Sequence, residues 1–167
     1  MAVAETLHKH PKRRLTAFAN EIASLIEAAQ AAGLNVVNSE EVLMVTEMSG
    51  HDVEEPRPAE GFAFQIERDN THAYVSIHPV DDPEVVAASG HVSAVEGFAI
   101  FDRIITAPDF RRRGLGSLIM RALVSLALEH DVEEGLLIAS VDGQKLYQSL
   151  GWTNLGNVVL FEGKQDA

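Results

Sequence analysis

Apolar residues recur along this chain with two distinct periods, and the change from one to the other divides it into elements. Leu15, Phe18, Ala19, Ile22, Leu25, Ile26 and Ala29 fall at helical intervals and predict one amphipathic helix over residues 12–32, closed by Gly33. Val42 to Met48 reads as a short strand. Ser49 to Glu60, which contains Gly50, Pro56 and Pro58, reads as a loop that no helix crosses. Gly61 to Arg68, His72 to His78 and Val85 to Ser93 are then strand-like. The separators Asp69-Asn70 and Asp81-Asp82-Pro83 are turn-forming, so an antiparallel meander is expected. Phe98 to Thr106 is a fourth run, ended by Pro108.

Beyond the meander the helical period returns in Leu115, Leu118, Ile119, Ala122, Leu123, Leu126 and Ala127, reaching to about His130. Gly135 to Ala139 is short and apolar on both faces, as a buried parallel strand requires, and a right-handed strand-helix-strand unit results. Asp142 is placed to cap a short helix through Leu150, Gly151 to end it, and Trp152 to Phe161 to close the sheet. The fold class is therefore mixed α/β.

Composition narrows the function. A chain of 167 residues, 46% hydrophobic and 23% charged, suits a single globular domain. Without cysteine there is no disulfide framework, thiolate metal site or cysteine nucleophile. No apolar run reaches the roughly 18 residues of a membrane span, and Lys9, Lys12, Arg13 and Arg14 lead into no export signal, so a cytoplasmic location is expected. The net charge of −12 argues against nucleic-acid binding. Of the seven histidines only His8 and His10 are close in sequence, and no metal is implied; His72, His78 and His91 read as sheet-surface residues.

The candidate chemistry lies at Arg111-Arg112-Arg113-Gly114-Leu115-Gly116-Ser117, a glycine-containing turn that leads into a helix. Such a turn aims unpaired N–H groups and the positive end of the helix dipole at one point, where an anion binds. Gly114 and Gly116 let the backbone approach a phosphate, and the three arginines add charge-assisted contacts. The spacing fits neither a nucleotide-hydrolase loop nor a dinucleotide fingerprint. What remains is R-x-x-G-x-G.

That motif resembles the acyl-CoA signature of the GNAT superfamily of N-acetyltransferases, with Arg111, Gly114 and Gly116 in its fixed positions. Ile104-Ile105-Thr106-Ala107-Pro108 before it resembles the end of the family's strand four, and Leu146-Tyr147-Gln148-Ser149-Leu150-Gly151-Trp152 after it the family's "Leu-Tyr-x-x-x-Gly-Phe" segment. The resemblance spans residues 85–161, an acyl-CoA-binding core within one domain over 1–167 whose first 60 residues diverge. The Pro-rich loop cannot hold the family's two helices between strands one and two, which leaves the substrate pocket to be rebuilt, for instance by the N-terminal helix.

The resemblance implies a central, mostly antiparallel mixed sheet whose strands four and five splay apart around pantetheine. It implies acetyl-CoA as co-substrate and direct acetyl transfer to a primary amine of a small molecule or peptide, through a tetrahedral intermediate. Ile104 would offer its backbone N–H to the thioester carbonyl, with Ile105 and Thr106 pairing along the pantetheine. Tyr147 matches the acid for the leaving thiolate. Ser140 stands where many relatives have a cofactor-touching asparagine. Asp102, two residues before Ile104, is expected on the same face and is a candidate base, equally readable as an ion-pair partner of Arg103. Dimerisation is common in the family, so a homodimer is among the expected assemblies. A non-catalytic acyl-CoA-binding module would keep Arg111, Gly114 and Gly116 without needing Tyr147 or Asp102, and an anion site unrelated to CoA would bind phosphate alone.

Overall fold

The computed structural model describes residues 2–9, 13–51 and 56–163. Its elements are α1 (Ala2–Lys9), β1 (Arg14–Ala19), α2 (Ile22–Ala31), β2 (Leu34–Glu47), β3 (Phe62–Asp69), β4 (His72–Pro79), β5 (Ala88–Val95), β6 (Phe98–Thr106), α3 (Leu115–Ala127), β7 (Glu134–Ala139), α4 (Val141–Ser149) and β8 (Thr153–Gly163). The strands neighbour one another in the order β1-β8-β2-β7-β6-β5-β4-β3, a mixed sheet in which β6 and β7 run parallel. The chain gathers into two compact units. One comprises the chain up to Met44, Ile138–Lys145 and the stretch from Thr153 onward, and the other Val45–Leu137 and Leu146–Trp152.

In the first unit the predicted helix over 12–32 divides. Residues Arg14–Ala19 form β1, antiparallel to β8 with Leu15 opposite Phe161, and only Ile22–Ala31 is helical. Leu15 and Ala17 face the core formed by Leu34, Val159 and Phe161, whereas Phe18, which fits the helical period, points outward and is 55% exposed. Strand pairing with β8 has overridden local periodicity. Gly33 closes α2 in the left-handed conformation (φ 83), as its position implied. One helix therefore does lie between the first two strands, and β2 begins at Leu34 rather than Val42. Part of the predicted Ser49–Glu60 loop, residues 52–55, lies outside the described residues; Met48–Gly50 forms a 3-10 turn.

The second unit holds the expected meander. β3, β4, β5 and β6 pair antiparallel in succession, and β6 then pairs parallel with β7. Residues opposed in a ladder share a face. Val75, Gly90, Val92, Ala99 and Phe101 therefore lie on one face, all buried, and Tyr74, His91 and Asp102 on the other. α3 covers the apolar face with Ile119 and Leu123, both fully buried. A side chain at Gly90 would meet Ile119 at 2.9 Å, Leu123 at 2.9 Å and Ile104 at 2.6 Å, so β5 has no room for one there.

Candidate active site

β6 carries the feature that shapes the site. Between the pairs Ser89↔Ile105 and His91↔Asp102 the single residue Gly90 opposes both Arg103 and Ile104, a β-bulge, and Arg103 takes a left-handed conformation at φ 51. The extra residue breaks strict alternation. Ile104 consequently turns to the α3 face, where its Cδ1 lies nearest the position of a Gly90 Cβ, while Asp102 stays on the opposite face with His91. The expectation that Asp102 and Ile104 share a face is thus corrected. Asp102 is also not a buried acid: its side chain is 65% exposed, and it accepts the Arg103 N–H at 2.8 Å and approaches Arg103 Nε at 3.3 Å.

The parallel ladder between β6 and β7 ends at Phe101↔Leu137, although β6 continues through Thr106. Asp102 to Thr106 are thus held on one side only, by β5, and the other backbone edge is free of a ladder partner in this unit. Ile104, Ile105 and Thr106 lie on that stretch. After it, Ala107 donates its N–H to Ala87 O, and a 3-10 turn at Pro108–Phe110 redirects the chain toward α3.

α3 starts from Gly114, left-handed at φ 77, with no side-chain cap. The N–H groups of Leu115, Gly116 and Ser117 in its first turn thus lack intrahelical acceptors. The two glycines serve different ends. Gly114 has open space around it and is required by its φ, whereas a Cβ at Gly116 would press on Leu146 at 3.1 Å and stand 3.6 Å from Thr106 Oγ1. Gly116 therefore sets how closely α3 packs on Leu146 and β6.

The three arginines diverge. Arg111 Nε donates to Thr106 O at 3.3 Å, Arg113 lies over the Phe110 ring at 5.4 Å, and Arg112 is exposed with φ 63. Arg113 also lines a cavity of about 450 Å³ with Glu60, Asp81 and Asp82. A larger groove of about 1390 Å³ runs between β3 and α3 past Phe62, Phe64, Ile66, Leu118 and Arg121. Neither Ile104 nor Tyr147 is among the residues lining these two.

Tyr147 sits on α4, buried at 6% exposure, and burial pushes its phenol up to about 12. The segment that carries it is closed by Gly151 in the left-handed conformation (φ 89), which lets Trp152 N–H reach back to Tyr147 O at 3.0 Å. Trp152 in turn packs edge-on against Phe101 of β6 with ring centroids 5.2 Å apart. The Tyr-x-x-x-Gly-Trp spacing thereby ties the phenol to the strand that bears the bulge. Ser140, in the other unit, is exposed and acts locally. Its Oγ accepts Gly143 N–H at 3.3 Å and caps α4, a position the sequence suggested for Asp142.

One group of residues escaped the sequence reading. His72 Nε2 and His91 Nδ1 are 3.0 Å apart, and the Tyr74 ring lies 4.7 Å from that of His91. These are half-buried contacting groups rather than isolated surface histidines. The only sequence signal is that His72 and Tyr74 share a strand face; the partner strand's register, which brings in His91, is not encoded locally.

An acetyltransferase (GNAT) domain model matches residues 59–154. Among solved structures, a GCN5-related N-acetyltransferase from Kribbella flavida is similar at TM-score 0.69 and 16% identity, over 97% of this chain and 73% of that one. A tandem GNAT protein from the clavulanic acid biosynthesis pathway is similar at TM-score 0.70 and 15% identity, over 99% and 69% of the respective chains. A GCN5-related N-acetyltransferase from Sphaerobacter thermophilus aligns at TM-score 0.67 and 10% identity over 92% and 62%. No curated protein sequence matches.

Proposed function

This chain belongs to the GNAT family of acetyltransferases, and on that premise we propose that it transfers an acetyl group from acetyl-CoA directly to a primary amine of a small molecule or peptide. The observation that carries the proposal is the coincidence, in one unit, of the free edge of β6 after Phe101 with the uncapped first turn of α3. The free edge offers backbone N–H and C=O groups to the amides of pantetheine, with Ile104, Ile105 and Thr106 as the pairing residues. The turn from Arg111 to Ser117 offers N–H groups and positive charge to a diphosphate. Acetyl-CoA supplies an acyl group activated as a thioester.

Tyr147 acts as a hydrogen-bond donor to the departing sulfur. A phenol raised to about 12 keeps its proton at neutral pH, so it stabilises a thiolate without giving the proton up completely. Its burial and the Trp152 N–H bond to its backbone oxygen fix this turn of the chain. No helix among the described residues is long and apolar enough to cross a membrane.

Calorimetry with acetyl-CoA, CoA and inorganic phosphate tests the binding half of the proposal. Micromolar affinity for acetyl-CoA and CoA with none for phosphate is expected, and failure of acetyl-CoA to bind would sink it. The exposed, ion-paired state of Asp102 fits a second possibility, an acyl-CoA-binding module without catalysis. Thiol release over a panel of primary amines separates the two, since a binding module releases none.

A further inference from the structure

The sheet face turned away from α3 holds a cluster with no part in the cofactor contacts described above. β4 contributes His72 and Tyr74, β5 contributes His91, and β6 contributes Asp102 and Arg103. His72 and His91 meet ring nitrogen to ring nitrogen at 3.0 Å with centroids 5.2 Å apart, and Tyr74 packs on His91. Beyond them on β3, Asp69 and Glu67 stand opposite His72 and Tyr74 in the ladder. At that separation one ring nitrogen donates and the other accepts.

Amine acylation needs a free lone pair on nitrogen, and at neutral pH a primary amine is an ammonium ion. A nearby base that is itself unprotonated at pH 7 can take the proton. His91 meets that condition. Burial first, then His72 and Arg103, hold it below the ordinary histidine value of 6.5, while Asp102 pulls the other way and steadies the cation once formed. His91 also stands opposite Asp102, the residue immediately before the bulge, so its Cα is about 5 Å from that of Asp102 on the strand with the free edge.

We propose that His91 Nε2 takes the proton from the acceptor's ammonium group, with His72 as a positioning residue that accepts the His91 Nδ1–H and leaves Nε2 bare. The assignment rests on the acetyl-transfer function proposed above and gives the acceptor an approach from the face opposite α3. One proton of R–NH3+ moves to His91, and the freed pair forms the C–N bond. As the C–S bond breaks, sulfur keeps its electron pair. The nitrogen loses a second proton, matching the one the thiolate gains, and His91 returns its proton to solvent.

The test is the pH dependence of kcat/KM for thiol release with spermidine, L-lysine and tryptamine as acceptors, alongside acetyl-CoA affinity by calorimetry. Wild type should rise with pH to a plateau by neutrality. His91→Gln should lose about 100-fold in kcat/KM and its acid limb while binding acetyl-CoA normally. His72→Gln should keep the limb but move it to higher pH, because the opposition of His72 to His91 protonation is gone, with a loss of a few fold. Wild-type-like turnover and acid limb in His91→Gln, with acetyl-CoA bound, overturns this assignment alone. No acetyl-CoA binding by wild type, or binding without turnover on any of the three amines, overturns the transfer function and the assignment with it.

Discussion

The two faces of the β4-β5-β6 meander are built from the same strands to opposite ends. The face under α3 is apolar and closed: Val75, Gly90, Val92 and Phe101 are buried on it, and even one methyl at Gly90 would collide with Ile119 and Leu123. The other face carries His72, Tyr74 and His91, partly open and joined by ring and hydrogen-bond contacts, with Asp102 opposite His91 in the ladder. The close packing of the first face makes the second a firm platform, because side chains on a strand cannot shift on one face without moving the backbone they share. The bulge at Arg103 is where the two are exchanged, sending Ile104 inward where strict alternation from Phe101 would have turned it out.

Breaking the apolar face should have the largest effect. Leu123→Ala removes a fully buried side chain and is expected to cost about 3 kcal/mol in urea unfolding, with the midpoint moving and the slope unchanged. Tyr147→Phe leaves both faces intact and removes one donor. It should lower kcat about tenfold, equivalent to about 1.4 kcal/mol, with little change in acetyl-CoA affinity. Equal turnover in that variant would refute the donor role.

Proton linkage sharpens the contrast, since an apolar face contributes none. His91 and His51, the latter bonded to Thr46 Oγ1 at 2.9 Å, are both held below 6.5, by burial in the first place. The unfolded chain then binds more protons in the window beneath 6.5. Their stabilising contribution is full above 6.5 and is lost as pH falls through their folded-state values. Thermal melts should therefore show Tm dropping from about pH 7.5 to about pH 5.5, and the pair His51→Gln and His91→Gln should flatten that drop. The smallest change is expected for Asp102→Asn. An exposed ion pair contributes little, so stability should stay within about 0.5 kcal/mol of wild type. Its acid limb should move to lower pH, as a group that favours charged His91 is lost.

The meander, α3 and the parallel β7 are legible from period and turn chemistry because in each the local pattern and the final environment agree. Phe98–Thr106 coincides with β6 to the residue. Two kinds of feature are not legible. The first is β1, where Leu15, Phe18, Ala19 and Ile22 satisfy a helical period by accident and only pairing with β8, over a hundred residues away, decides for a strand. The second is anything that depends on register between strands. Nothing in Ile100-Phe101-Asp102-Arg103-Ile104 announces a bulge, so counting by two wrongly puts Asp102 and Ile104 on one face. The same blindness hides the meeting of His72 and His91, whose contact exists only through the β4–β5 ladder. The glycine turn before α3 is readable as a type of site. That Gly116 serves packing against Leu146 is visible only in three dimensions.

At the end of the strand order lies β3, whose outer edge has no ladder neighbour among the described strands. Its first half is apolar at alternate positions, with Phe62, Phe64 and Ile66, and its second half reads Glu67-Arg68-Asp69, all exposed. A second chain that tried to extend the sheet there would have to lay its own backbone along three consecutive charges and strip water from them. Those three residues make β3 a poor template for edge-to-edge growth, a local safeguard that acts beside the net charge of −12.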